Sequence, residues 1–374
     1  EILPGIKHEL AGQITTTFLG AALIILLTHL LEPKQYGLLF LVISILGFIR
    51  ILSEAGVANS GARYVAEYKE RAPEQIRYII STSLLYNLST IIIVSTVLIL
   101  GHRHLAAFFN EHKLSSLLLY GVFFVIFGTL TTYARVILQG FEEIELSAGV
   151  HIINILARFI SAIGVVILGY GVWGALTGYI FGFALASLLG LTVIYLKCYR
   201  GWKTAVTVET GLRRRIAEYT LPLAGTSTTK AIEVHIDTIL IGLFLTPVSV
   251  GFYALAKQIT QFLETPAYAL GFSLAPTYGA KKAQSNMQHV SKLYEISFEY
   301  LLLVYLPAAA GVVLIAEPMI QYVFGSKYLG TVPVLQVLAI YIVFRSLTTI
   351  TEDSLDYLGR AKLRALLKIP TIIL

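Results

Sequence analysis

The chain has 374 residues, of which 56% are hydrophobic and only 13% charged. Soluble domains carry about 25% charged residues, so this chain cannot build a polar shell in water, and a water-soluble globular fold is excluded. The net charge of +6 would suit a nucleic-acid partner, but the basic residues are distributed as membrane topology requires; the single cysteine, Cys198, excludes an internal disulfide and a cysteine-based metal cluster.

A helix needs about 20 apolar residues to cross roughly 30 Å of hydrocarbon. In chain order such runs predict spans at 10–31, 37–58, 78–101, 115–138, 148–168, 172–196, 218–244, 250–272, 294–315 and 332–357, with an eleventh starting near 366. The first run is too long for a signal-peptide core and lacks a small-residue cleavage site. Barrel strands are runs of about ten alternating residues; these runs are continuous and twice as long, so helices are the expected spanning form. The chain opens at Glu1 and stops at Leu374 inside an apolar run, and it reads as a fragment whose second half would be completed by the rest of span eleven and by span twelve.

Lys and Arg concentrate in cytoplasmic loops. Loops after even-numbered spans hold seventeen basic residues, among them Arg63, Lys69, Arg71, Arg77 and the run Arg213, Arg214 and Arg215, whereas loops after odd-numbered spans hold four. This predicts a cytoplasmic N-terminus and a multi-pass protein of the cytoplasmic membrane.

The link between spans one and two carries Leu31, Pro33, Gly37 and Leu41, and the link between spans seven and eight carries Leu245, Pro247, Gly251 and Leu255. Both read L-x-P-x-x-x-G-x-x-x-L, offset by 214 residues. Proline fixes φ and ends the helix, and glycine permits close packing at the start of the next. A weaker echo relates 140–155 to 359–374. The offset spans six helices, an even number, so the repeat is parallel. The expected fold is an all-α polytopic membrane protein with two pseudo-symmetric six-helix lobes: an N-lobe over 1–200, a basic cytoplasmic linker over 201–216, and an incomplete C-lobe over 217–374.

Six cationic residues fall inside spans: Arg50, Arg135, Arg158, Lys230, Lys257 and Arg345. An ionisable group in hydrocarbon costs roughly 2.5–3.5 kcal/mol or more, so it faces a cavity or a partner. Arg135 lies near the basic end of its span and reads as snorkelling; Arg50 has Glu54 one turn on, the spacing of a helical ion pair. Arg158, Lys230 and Arg345 lie nearer mid-span and read as cavity-facing. Span seven sets Lys230, Glu233 and Asp237 on one helical stripe, and span eight does the same with Lys257, Gln261 and Glu264. The stripes either line a polar cleft or pair with each other; His235 falls off its stripe and reads as structural. No spacing suggests a metal site, a cofactor or a nucleophile–base pair, so no catalytic residue is expected.

Residues 29–39 (HLLEPKQYGLL), 56–67 (GVANSGARYVAE), 236–242 (IDTILIG) and 250–256 (VGFYALA) resemble, in order and spacing, the Wzx-type oligosaccharide flippases of the multidrug/oligosaccharidyl-lipid/polysaccharide exporter superfamily. The resemblance implies two lobes around a cavity opening alternately to each side, no enzymatic activity, and a lipid-linked oligosaccharide as cargo. It also implies membrane lipids as surroundings, a coupling proton or sodium ion, and no nucleic acid. A diphosphate-linked sugar is anionic, and guanidinium groups suit diphosphate by offering paired donors; the expected binding set is Arg50, Arg158, Lys230, Asp237, Lys257, Glu264 and Arg345. Two alternatives stand beside it. A multidrug and toxin extrusion antiporter would want buried carboxylates in the first lobe, and span one has none. A membrane glycosyltransferase or glycan polymerase would need catalytic residues on sizeable external loops.

Overall fold

A computed structural model describes residues 17–201, 208–283 and 287–358, and among these the backbone is helical with no strand. In chain order the helices are α1 (Thr17–Leu30), α2 (Pro33–Glu54), α3 (Val57–Arg71), α4 (Ile76–Phe108), α5 (His112–Tyr120), α6 (Val122–Gly140), α7 (Ile144–Val165), α8 (Gly171–Val193), α9 (Leu212–Phe244), α10 (Pro247–Ala283), α11 (Met287–Met319) and α12 (Thr331–Tyr357). Each of the ten complete spans expected from the sequence falls within this series; residues 10–16 and the eleventh span lie outside the described residues. Six stretches are long and apolar enough to cross a bilayer, which makes this a multi-pass membrane protein. One of them, 144–199, contains two expected spans, joined through a π turn at Val166–Tyr170 where Gly169 (φ 92°) and Gly171 (φ 49°) reverse the chain.

The seventh and eighth expected spans, α9 and α10, are not among those six. Helix α9 opens with Arg213, Arg214, Arg215 and Glu218, then carries four consecutive hydroxyl residues, 226–229, followed by Lys230, Glu233 and Asp237. Such a helix is too polar to face hydrocarbon on all sides.

The segment after span two, expected as a basic loop, is helix α3. It follows α2 through a left-handed step at Ala55 (φ 44°) and Gly56 (φ 72°). Its buried side carries Val57, Tyr64, Val65 and Tyr68, while Arg63, Glu67 and Arg71 stay exposed. Tyr64, Val65 and Tyr68 pack with Ile79 and Ile80 of α4, Tyr133 and Ile137 of α6, and Leu212 and Ile216 of α9 in one apolar core.

Two compact units divide between Gly251 and Phe252. In the first, α2 and α9 run side by side over most of their length, and small residues set the spacing. A methyl on Gly242 would strike Leu41, one on Gly47 would lie 2.6 Å from the His235 ring, and one on Gly56 would strike Leu223. The two L-x-P-x-x-x-G motifs meet in the same unit. A Cβ on Gly37 would overlap the Pro247 carbonyl oxygen and lie 2.6 Å from the Gly251 nitrogen, and a Cβ on Gly251 would lie 2.5 Å from the Pro33 carbonyl oxygen. The contact is reciprocal: each glycine receives the first turn of the other motif.

In the second unit, α10 continues through Pro266. Proline cannot supply the amide that the helix ladder expects. Tyr305 of α11 enters the ladder here: its hydroxyl donates to the Leu263 carbonyl (3.0 Å) and accepts from the Ala267 amide (3.1 Å).

Candidate functional site: a cationic interior in the first unit

Arg50 projects from α2 toward α6 and α8. Its Nη1 donates to Glu54 Oε1 at 2.6 Å and to Thr132 Oγ1 at 3.1 Å, and Thr132 in turn donates to Glu54 Oε1 at 2.9 Å. The ion pair is partly covered, the two side chains being 22% and 21% exposed. Gly128 makes room for the arginine stem, since a Cβ there would lie 2.5 Å from Arg50 Cδ. The guanidinium lies 5.6 Å from the centroid of the Phe183 ring on α8.

One turn earlier on α8, Tyr179 presents its ring to Arg158 of α7, with the guanidinium 4.9 Å from the centroid. Gly182 backs this contact: a Cβ there would lie 2.8 Å from Arg158 Cβ. The two arginines thus sit over consecutive aromatic rings, an arrangement in which each gains a cation–π contact without losing its hydrogen-bonding edge. Thr131 ties α6 to the same turn by donating to the Phe183 carbonyl at 3.0 Å.

His151 and Asn154 precede Arg158 on one stripe of α7, and Asn154 is buried. Arg135 of α6, expected to snorkel, instead keeps its Nε buried; it and Arg158 both lie within electrostatic range of His151. The Nε atoms of Arg50, Arg135 and Arg158 and the Nδ2 of Asn154 are buried donors with no acceptor among the described residues. An unsatisfied buried donor costs about 1–3 kcal/mol, more when charged. Among the described residues, Glu54 is the one acid held by any of these three arginines. The cluster therefore has surplus positive charge and surplus donors, the chemistry that accepts an anion.

The other expected site residues belong to other elements. Lys230 is exposed on α9, while Asp237 on the same helix is half-buried and accepts from the Thr238 hydroxyl at 3.3 Å. Lys257, Glu264 and Arg345 belong to the second unit. There Glu264 is 8% exposed and lies within electrostatic range of Tyr305, and Lys257 and Arg345 are half-buried. Arg135, His151, Asn154, Tyr179 and Phe183 were not singled out for the site from sequence. A polar stripe at i, i+3 and i+7 through 151, 154 and 158, in an otherwise apolar span, is the signal that could have found two of them.

The basic residues of α3, α4 and α9 make specific contacts of their own. Arg77 donates from Nε to the Tyr199 carbonyl at 2.8 Å and lies 5.0 Å over the Tyr199 ring. Arg63 lies 4.0 Å over Tyr219, and Arg213 lies 5.8 Å over Tyr86 and donates to its hydroxyl at 3.2 Å. Lys69 donates to the Phe141 carbonyl and pairs with Glu142 at 3.0 Å. Arg215, Glu209 and Tyr68 form a closed set: Arg215 donates to Glu209 (2.5 Å) and to the Tyr68 hydroxyl (2.7 Å), and Tyr68 donates to Glu209 (2.6 Å). That hydrogen bond from Tyr68, with Arg215 beside it, holds the half-buried Glu209 carboxyl below the ordinary carboxylate range. The stretch just before α9 is thereby fastened to α3.

Fold and interior together define a multi-pass, all-helical membrane protein whose first unit is cationic inside. The chain belongs to the polysaccharide biosynthesis protein family, whose model matches residues 5–277. It is 32% identical over 130 residues to the teichuronic acid biosynthesis protein TuaB of Bacillus subtilis, covering 34% of this chain and 26% of that protein. It is 25% identical over 138 residues to the probable low-salt glycan biosynthesis flippase Agl15 of Haloferax volcanii, covering 37% of this chain and 29% of that protein. These alignments span under a third of either relative. Among solved structures, the fold matches an inward-facing multidrug resistance MATE family transporter of the MOP superfamily (TM-score 0.77, 17% identity, 93% of this chain and 82% of that one). It also matches the lipid II flippase MurJ in an inward closed conformation (TM-score 0.74, 16% identity, 97% and 77%).

Proposed function

We propose that this protein moves a lipid-linked, diphosphate-bearing oligosaccharide across the cytoplasmic membrane by alternating access, as a transporter and not an enzyme, for assembly of a cell-surface glycan. The single observation that carries this reading is the cluster of three arginines whose buried Nε donors lack acceptors, set among Tyr179 and Phe183 with one partnering carboxylate. Buried guanidinium donors without acceptors suit the oxygens of a diphosphate, and aromatic rings suit the faces of sugars. Family membership and the names of the relatives support the same cargo class. Proton- or sodium-coupled cation export is the weaker reading, because the first expected span contains no acid.

In this reading Arg50 and Arg158 hold the diphosphate, with Lys230, Lys257 and Arg345 as further contacts along its path. Asp237 and Glu264 supply the carboxylates that a coupling proton or sodium ion needs. The lobes are 1–200 and 217–374, linked by the basic segment 201–216, with the N-terminus cytoplasmic. Support comes from the L-x-P-x-x-x-G repeat and from the excess of Lys and Arg after even-numbered spans.

The test is flipping of a fluorescent lipid-linked oligosaccharide in proteoliposomes, scored by quencher access, with protein amount measured in parallel. A hydrogen bond to a charged group contributes about 1.5–3 kcal/mol, so R158Q should slow flipping by roughly tenfold or more, and R158K by less. Unchanged flipping in R50Q, R135Q and R158Q would remove the cluster from transport.

A further inference from the structure

A groove of about 390 Å³ runs along the first unit between α4, α6 and the last turns of α8. Its walls include Leu84 and Leu88 of α4, Leu191, and Ile194, Tyr195 and Tyr199 of the turn that follows α8. That turn, Ile194–Tyr199, is π-helical. A π turn gives up ladder geometry and recurs at functional positions. Here it brings the Tyr195 and Tyr199 rings nearly parallel, 6.0 Å between centroids and 21° between planes, so both rings stand in the groove wall. The groove opens outward, since Leu85, Leu88 and Tyr195 are exposed. In a bilayer-spanning segment, such a trough fills with hydrocarbon.

Its two ends differ. Toward Leu88 it is aliphatic. At the other end the hydroxyls of Ser81 and Tyr199 lie 3.4 Å apart. Arg77 stands one turn before Ser81 with its guanidinium over the Tyr199 ring, and Arg200 follows, exposed. The groove is thus apolar along its length, hydroxylated at its mouth and cationic beyond. None of the arginines of the interior cluster lines it.

From this polarity we infer that the α4–α8 groove binds one acyl chain of an anionic membrane phospholipid, with its phosphate held at the mouth by Arg77 and Arg200. The occupant is a resident bilayer lipid rather than the transported cargo, so the site is independent of the proposed transport reaction. Charge complementarity selects the head group: basic residues near a membrane surface favour anionic lipid, and guanidinium is the side chain best matched to phosphate oxygens.

The test uses the purified full chain in nanodiscs that contain phosphatidylglycerol or phosphatidylcholine with a photoreactive acyl chain, followed by peptide mapping. Phosphatidylglycerol should label peptides 80–88 and 191–199 in clear preference to phosphatidylcholine. Each arginine should account for about a fivefold share of that preference. L84W should fill the trough and abolish labelling there, while labelling around the exposed Leu314 of α11 stays unchanged. R77Q also removes the bond to the Tyr199 carbonyl; R200Q, whose side chain caps nothing among the described residues, therefore carries the charge test by itself and should lower the preference about fivefold. Equal labelling by the two lipids would overturn the inference. So would labelling that survives L84W, or displacement of phosphatidylglycerol by a polyprenyl diphosphate, which would assign the groove to cargo.

Discussion

The reciprocal meeting of Gly37 and Gly251 yields a quantitative prediction. G37A adds one methyl where the built Cβ overlaps the Pro247 carbonyl oxygen. The obstacle is backbone, so no rotamer change relieves it, and the two chains must part. Overpacking of this kind costs about 1–3 kcal/mol. Glycine-to-alanine replacement in a helix returns roughly 0.5–1 kcal/mol, leaving a net loss of about 1 kcal/mol at mid-range. G251A meets the Pro33 carbonyl oxygen in the same way and should cost a similar amount. Because the two sites touch, the double variant should cost clearly less than the sum, with a coupling of at least about 0.5 kcal/mol; once the backbones have parted for one methyl, the second enters freely. G225A in α9 is the control. Its Cβ would meet nothing within 4 Å, so it should be neutral or stabilising by up to about 1 kcal/mol. The assay is thermal unfolding in detergent read by a thiol-reactive fluorophore. The sole cysteine, Cys198, is 3% exposed in the same unit and reports its opening. Midpoints should fall by roughly 1–3 °C for each single variant. A G37A protein as stable as the parent, or strictly additive losses, would refute the contact.

Two further predictions concern hydroxyls. Y305F should lower stability by about 1–3 kcal/mol, because the Leu263 carbonyl loses its donor and the Ala267 amide its acceptor; hydrogen exchange at the Ala267 amide should rise, and an unchanged rate would dismiss the ladder insertion. Glu209 makes a pH prediction. Its folded carboxyl is held below the ordinary range, foremost by the Tyr68 hydrogen bond, so its contribution is complete above the unfolded value, near 4.5, and is lost as pH falls through the lower folded value. Protection of backbone amides at 209–212, taken relative to intrinsic exchange at each pH, should fall over that acid window in the parent and be low and pH-insensitive in E209Q; equal protection in both would separate Glu209 from the fastening of α9 to α3.

The spans were legible because a bilayer demands some 20 apolar residues in a row, and each run stands out against its basic flanks. The closeness of the two L-x-P-x-x-x-G motifs was legible as a repeat, though not as a contact: periodicity reports equivalence and says nothing of adjacency. Helix α3 was missed because its apolar residues alternate with Arg63, Lys69 and Arg71, and a charged stretch between spans reads as loop. Arg50 and Glu54 were legible from i, i+4 spacing. The burial of Arg135 was not, since its place in the span gives depth along the membrane normal while burial depends on which way the helix faces. Tyr179 and Phe183 were hidden for a related reason. An aromatic ring in an apolar helix has the same sequence signature whether it meets lipid or a guanidinium.

The arginines at the basic edge answer to two constraints at once. Membrane orientation is set by any cation, and lysine would serve. Yet Arg63, Arg77 and Arg213 each place a guanidinium over the ring of a tyrosine from another helical segment, Tyr219, Tyr199 and Tyr86, and Arg77 also bonds a helix-end carbonyl. A compact ammonium reproduces the charge but neither the plane nor the fork. Exchanging these three for lysine would therefore leave the chain threaded the same way through the bilayer while unstitching the helix ends from one another, separating the instruction for insertion from the instruction for assembly.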